Sequence, residues 1–352
     1  MAARRRFFKN LLGISLAGAL PAWPYAATGS REAPTPKLLP KPLSEGYTVG
    51  LIAPGYAFPE GLIAEVRELL TSLGYRPYHT ERLLQRHGYF SNTDRERAAD
   101  IDHMFANEDV DAILCIRGGY GCTRIMGMLD YDNIKAHPKP LIGFSDVTAL
   151  LHGIYKETGL VCFHGPVGST LDDAFSISSF QSVLTAHHPL PILRNAVLEK
   201  KYANDPVYER YVIYPGKATG EICGGSLTLI NALVGTPHAL DFTDKLVFIE
   251  DIDEAPYRMD RMLTQLLEGP TFRKAAGIVF GVCAGCNEST NPNSFSLKEV
   301  VMDRVAPLNI PAVYGMSFGH VKQNFTFPIG IRATLDTEKM TVALLEKYLS
   351  GD

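Results

Sequence analysis

From Tyr47 onward the chain alternates between two hydrophobic rhythms. Near-continuous apolar runs at 47–53 (YTVGLIA), 110–116 (VDAILCI), 140–143 (PLIG) and 160–163 (LVCF) predict short buried strands. The segments 60–73 and 146–156 carry apolar residues at helical spacing. A further helix is predicted from Thr93, which has the spacing of a capping box with Glu96 and precedes an apolar face of Ala98, Ile101, Met104 and Phe105. Strands alternating with helices predict a parallel α/β domain.

The rhythm fails at 171–211, where prolines, His187, His188 and mixed polar residues read as a connection between domains. It resumes with strands at 218–223, 245–249 (KLVFI), 277–283 (GIVFGVC) and 312–314, and with helices at 226–233, 256–267 and 297–305. A β-rich pair at 332–335 and 340–344 closes the pattern. The expected fold class is α/β, with one domain over 46–170, a second over 212–352, and no internal repeat.

Residues 1–30 follow neither rhythm. Arg4, Arg5 and Arg6 precede Phe7, Phe8 and Lys9, an apolar stretch covers 11–20, and no acidic residue appears before Glu32. A basic start followed by an apolar run too short to span a bilayer reads as a signal peptide. Arg-Arg, one residue, then Phe-Phe-Lys is the pattern of a twin-arginine signal, so export to the periplasm is expected. A basic amphipathic extension or a retained anchor is the other reading of the same residues. Cleavage after Ala26 or Ala27 fits the small-residue rule, although Trp23, Pro24 and Tyr25 are unusual just before it. Residues 31–45, proline-rich from Pro34 to Pro42, read as an extended linker.

Composition narrows the class. A chain of 352 residues that is 46% hydrophobic and 20% charged can bury a large core, which excludes a small disulfide scaffold, global disorder and a multi-span membrane protein. The net charge is −4, and removing Arg4, Arg5, Arg6 and Lys9 with a signal would take 34 basic residues to about 30 against 38 acidic, near −8. Such a surface lacks the basic excess of a nucleic-acid binder, so no nucleic-acid partner is expected, nor stable membrane insertion after signal removal. Most of the six cysteines lie in apolar runs and read as buried free thiols. Cys283 and Cys286 have the spacing of a redox pair or half a zinc site, but no second pair at ligand spacing supports a metal.

In open α/β sheets chemistry gathers beyond the carboxyl ends of strands, and three such places carry reactive side chains. Gly143-Phe144-Ser145-Asp146 places a hydroxyl where a strand turns into a helix; either it is a nucleophile on a sharp elbow, or Ser145 or Asp146 merely caps the helix. Glu250 and Asp251 follow a buried strand at once, so one of them can orient an imidazole, unless they open a solvated acidic loop with Asp253 and Glu254. His320, after Gly315-Met316-Ser317-Phe318-Gly319, has the best setting among ten histidines for a general base, although a lone histidine is more often structural. Gly118-Gly119, in the turn after the 110–116 strand, and the N–H of Asp146 supply oxyanion donors. The same turn lacks the Lys-Ser/Thr of a phosphate loop and the spacing of a dinucleotide fingerprint.

Several blocks in order then give a resemblance. I-A-P-G (52–55), T-D-R-E-R-A-A-D (93–100), V-D-A-I-L-C-I-R-G-G-Y-G (110–121), G-F-S-D-V-T-A-L-L (143–151), G-G-S-L-T-L-I (224–230), F-I-E-D (248–251), Y-R-M-D-R-M-L (257–263) and F-G-H (318–320) are similar to the LD-carboxypeptidase family of serine peptidases, which includes muramoyltetrapeptide carboxypeptidase and the microcin-C immunity peptidase. The resemblance implies a Rossmann-like N-terminal domain, a second α/β domain and an active site between them. It implies a nucleophile at Ser145, an acid at Glu250, a base at His320, oxyanion N–H groups from Gly119 and Asp146, no metal and no cofactor. Its expected substrate is a peptidoglycan-derived tetrapeptide losing its terminal D-Ala, and a homodimer fits the reading. R-G-G-Y-G and Y-R-M-D-R-M-L look more like the muropeptide branch than the microcin branch. The best-known muropeptide members are cytoplasmic, so an export signal departs from the family pattern. Arg117 is a candidate for the substrate carboxylate, with a structural ion pair as its alternative. Two other functions stay open, a microcin-type acyl-peptide amidase and an exported two-lobe solute-binding protein.

Overall fold

The computed structural model describes residues 36–185 and 189–351. The segment 1–30, residues 31–35 of the 31–45 linker, His187 and His188 lie outside the described residues. In chain order the strands are β1 (Thr48–Ile52), β2 (Arg76–Tyr78), β3 (Ala112–Cys115), β4 (Leu141–Gly143), β5 (Phe163–His164), β6 (Ile192–Arg194), β7 (Tyr211–Tyr214), β8 (Lys217–Ser226), β9 (Lys245–Glu250), β10 (Gly277–Gly281), β11 (Ala312–Met316), β12 (Phe327–Pro328), β13 (Arg332–Asp336) and β14 (Thr341–Leu344). The helices are α1 (Leu62–Ser72), α2 (Asp94–Ala106), α3 (Cys122–Ile125), α4 (Tyr131–Ala136), α5 (Thr148–Thr158), α6 (Ala174–Leu184), α7 (Leu227–Ala232), α8 (Pro256–Glu268) and α9 (Leu297–Val305).

Two sheets result, each the centre of an α/β domain. The first has the order β12-β5-β4-β3-β1-β2, with every pairing parallel except the antiparallel one between β12 and β5. The second has the order β6-β14-β13-β8-β9-β10-β11-β7, a parallel centre of β8 to β11 flanked by antiparallel strands. Both faces of the second sheet are covered, which is why LVFI, after Lys245, reads as an unbroken apolar run. Leu246 and Phe248 enter the larger core, shared with the first sheet, while Val247 and Ile249 face a second core with Met259 and Leu263 of α8 and Val301 of α9. Strand β12 comes from near the end of the chain yet pairs with β5, tying the two domains together.

Local chemistry explains two departures from the expected pattern. The Thr93 hydroxyl accepts the Glu96 N–H at 3.3 Å as an N-cap, but the Thr93 N–H donates to Asn92 Oδ1, so only half of the capping box forms. The stretch 171–211 carries α6 and the edge strand β6. The helix starts at Asp173, whose carboxylate takes the Phe175 and Ser176 N–H groups, and it buries Ser176, Phe180, Val183 and Leu184. A serine on the buried face breaks the apolar stripe in the sequence. Its hydroxyl donates to the Lys322 carbonyl at 2.9 Å and accepts the Asn324 N–H at 2.9 Å, docking the loop after β11. All six cysteines are buried and free.

Candidate active site

The three strand ends singled out in the sequence converge. Ser145 follows β4 in a single 3-10 turn that leads into α5, and its φ of 63° is a left-handed value that costs a non-glycine residue strain. Gly143 permits this elbow, because a Cβ there would lie 2.7 Å from Val147 Cγ1. The hydroxyl of Ser145 lies 3.0 Å from His320 Nε2, and His320 Nδ1 lies 2.7 Å from Glu250 Oε2. With the ring proton on Nδ1 donated to the carboxylate, Nε2 is free to accept from the serine. Glu250 ends β9 with no exposure, whereas Ser145 and His320 are half-buried and reach solvent.

The surroundings fix this geometry. Gly319 has φ 99°, and a side chain there would place its Cβ 2.6 Å from Glu250 Oε2, so only glycine lets the His320 loop pass over the carboxylate. Buried Asn324 accepts the Gly319 N–H at 3.3 Å, and Phe144 packs its ring 4.8 Å from that of His320. Burial pulls the His320 pKa down, but the charge and hydrogen bond of Glu250, with Asp251 and Asp253 beyond, leave it above the ordinary imidazole value. Burial pushes the Glu250 carboxyl up, and the opposed His320 more than offsets that, so Glu250 stays below the ordinary carboxylate range. Asp251 is also buried and holds the Thr228 and Ile252 N–H groups at 2.8 and 2.9 Å, and burial with the charge of Glu250 pushes its pKa up to about 6. The solvated-loop reading therefore fails for Glu250 and Asp251.

The turn after β3 faces the hydroxyl. A Cβ on Gly118 would stand 2.9 Å from Ser145 Cβ, and Gly119 has φ 109°, with a side chain there meeting the Tyr56 ring. Asp146 is the second residue of the 3-10 turn, so its N–H belongs to the first-turn donors that have no partner within the turn. Neither Ser145 nor Asp146 caps the following helix. The Asp146 carboxylate instead accepts the Cys122 N–H at 2.8 Å, capping α3 and joining the elbow to the glycine turn. Arg117 donates to the Ala57 carbonyl at 3.1 Å and lies 5.8 Å from the Tyr56 ring centroid, with no ion pair among the described residues. Sequence reasoning missed Arg97: it is buried on the apolar face of α2 and bonds the carbonyls of Pro54 and Gly121, the latter at 3.1 Å, which locks both loops beside the serine. A charged residue four positions before Ile101 on an apolar face was the available signal.

A hydroxyl, an imidazole and a buried carboxylate linked in this order can activate a serine for acyl transfer, the defining arrangement of serine-type hydrolases. The LD-carboxypeptidase N-terminal domain matches residues 49–165 and the LD-carboxypeptidase C-terminal domain residues 219–335, and the chain belongs to this family. It is 38% identical over 314 residues to the Bacillus subtilis (strain 168) protein named "Probable murein peptide carboxypeptidase", covering 87% of this chain and 93% of the relative. Among solved structures it is similar to muramoyltetrapeptide carboxypeptidase from Oxalobacter formigenes (TM-score 0.74, 29% identity, 86% of this chain and all of that one). It is also similar to an MccF-like protein from Bacillus anthracis strain Ames (TM-score 0.77, 28% identity, 88% of this chain and all of that one).

Proposed function

We propose that this chain is a serine LD-carboxypeptidase that hydrolyses the L,D-amide bond releasing terminal D-Ala from peptidoglycan tetrapeptides. The observation that carries the reading is the relay from Ser145 through His320 to buried Glu250, at 3.0 and 2.7 Å, in a member of the LD-carboxypeptidase family. Ser145 Oγ attacks the amide carbonyl carbon and His320 Nε2 takes its proton. The oxyanion forms against the N–H groups of Gly119 and Asp146. The C–N bond breaks, the D-Ala nitrogen receives the proton from His320, and water hydrolyses the acyl-enzyme by the same proton path. Arg117 keeps guanidinium donors beyond the one given to Ala57, and is our candidate for the D-Ala carboxylate.

The test is incubation with a muramoyl tetrapeptide and with the corresponding pentapeptide, reading free D-Ala by mass spectrometry. Release from the tetrapeptide alone is expected; comparable kcat/KM on the pentapeptide makes the protein a DD-carboxypeptidase and defeats the proposal. Likeness to an MccF-like protein supports one second reading, a microcin-type acyl-peptide amidase, for which aminoacyl-nucleotide hydrolysis is the readout. A solute-binding protein has no use for the proton relay, and a ligand recovered unhydrolysed would speak for it.

Gly119→Ala is expected to lower kcat by about 10² or more, because the new methyl meets Tyr56 and the shifted backbone withdraws an oxyanion donor. Rates within threefold of the native chain would remove Gly119 from the oxyanion site. The acid limb of kcat/KM against pH is expected to have its midpoint above the ordinary imidazole value of roughly 6.5, since protonating His320 stops it accepting from Ser145. A midpoint below that value would mean that the Glu250 charge does not govern the ring. Residues 1–30 are proposed to direct twin-arginine export, so Lys at both Arg4 and Arg5 should strand the protein in the cytoplasm. Undiminished periplasmic recovery of that variant would point to the general secretory route.

A further inference from the structure

Glu250 offers two oxygens, and the relay uses one. Oε2 meets His320 Nδ1, while Oε1 is fully buried and has no hydrogen-bond partner among the described residues. An orphaned carboxylate oxygen in an apolar interior is a costly arrangement that demands a reason. Facing it at 4.0 Å is Nε2 of His164, a ring with no exposure and, among the described residues, no hydrogen-bond partner on either nitrogen. The ring is tightly held. Phe327 of β12 stacks on it at 4.5 Å and 15°, in register with it across the β5–β12 pairing, and Phe144 and Phe318 present edges at 6.0 and 6.2 Å. Gly225 completes the slot, since a Cβ there would stand 3.1 Å from His164 Cδ2. These aromatic walls would suit phenylalanine as well as histidine, so packing does not explain a polar ring aimed at Oε1.

We propose that His164 is a positioning residue for the relay: its neutral ring, with the proton on Nε2, turns an N–H dipole toward Glu250 Oε1 and keeps that carboxylate ionised with Oε2 on His320. The inference rests on the reading of Ser145, His320 and Glu250 as the catalytic relay. At 4.0 Å the contact is a charge–dipole one, longer than a hydrogen bond, and its strength comes from the absence of water around both groups. Burial pushes the His164 pKa down to about 4, with Glu250 raising it and His320 and His152 lowering it. The ring is therefore uncharged wherever His320 can accept a proton. A second imidazolium would compete with His320 for the one carboxylate; a neutral donor supports Glu250 without displacing it.

The experiment measures D-Ala release for His164→Phe, His164→Gln and His164→Asn in the native and Glu250→Gln backgrounds, with thermal melts to establish folding. Gln places its amide nitrogen near the position of Nε2, Asn near that of Nδ1. His164→Phe should lower kcat by about 10- to 100-fold with KM within about twofold, because the lost partner is that of a buried charge and touches no substrate. His164→Gln should stay within about threefold of native, His164→Asn should not, and this pair decides the matter if His164→Phe fails to fold. In the Glu250→Gln background, where there is no charge to support, His164→Phe should cost less than about threefold more. A native kcat in His164→Phe, or the same loss in both backgrounds, overturns the proposal. Long-range ¹H–¹⁵N NMR of labelled histidine tests it without substrate: His164 should be the Nε2–H tautomer, with a resonance that moves on Glu250→Gln, and a proton on Nδ1 instead overturns it. If the native chain releases no D-Ala, the functional proposal fails, and the NMR measurement alone decides the role of His164.

Discussion

Ser145→Ala is expected to lower D-Ala release by a factor on the order of 10⁴ or more, because the residual reaction has oxyanion donors and binding but no nucleophile. The side chain reaches solvent and makes no core contact that the fold depends on, so the melting temperature should barely change. Backbone strain supplies a second, independent readout. At φ 63° alanine is as poorly suited as serine, whereas glycine takes left-handed values without steric cost. Ser145→Gly should thus lose the same activity and gain up to about 1 kcal/mol of stability by denaturant unfolding. Such a gain would mean that the elbow holds the hydroxyl forward at the expense of the fold. A variant of either kind that keeps a tenth of the native activity removes Ser145 from the mechanism.

Strand ends are legible in this chain because its buried strands are short apolar runs that stop abruptly at a polar residue. PLIG stops two residues before Ser145, KLVFI one before Glu250, and the run from Ala312 shortly before His320. The rule ranks positions along the chain and says nothing of which ends meet, since Ser145 and His320 are 175 residues apart and touch only through tertiary packing. His164 obeys the same rule, directly after LVCF, yet without a view of Glu250 it is one more histidine. What hides the rest is similar in kind. Two-residue β12 is too short to have a period, and the pairing that brings Phe327 onto His164 has no local signature. Arg97 and Ser176 interrupt apolar faces that they in fact belong to, because their polar atoms end on backbone groups of loops distant in sequence. Polar residues that brace the site look, in sequence, like breaks in the pattern.

Glu250→Gln should leave the hydroxyl and ring in place and still cost on the order of 10³ to 10⁴ in kcat. Three effects combine in that loss. An amide can hold the His320 ring by accepting from Nδ1, but it can also turn its NH₂ toward the ring and select the tautomer whose Nε2 carries the proton, which cannot accept from Ser145. The imidazolium formed as Ser145 attacks loses its counter-ion in a site where Glu250 has no exposure, and water does not replace it. The charge that lifts the His320 pKa is also gone, so burial prevails and the acid limb of kcat/KM should move to lower pH than in the native chain. Removing Asp253, an exposed carboxylate farther along the same loop, tests the size of that last effect: Asp253→Asn should move the limb in the same direction by much less, with kcat nearly intact, since solvent screens the charge. An unchanged kcat in Glu250→Gln would return Glu250 to a structural role, and a limb that stays fixed would show that the carboxylate orients His320 without setting its basicity.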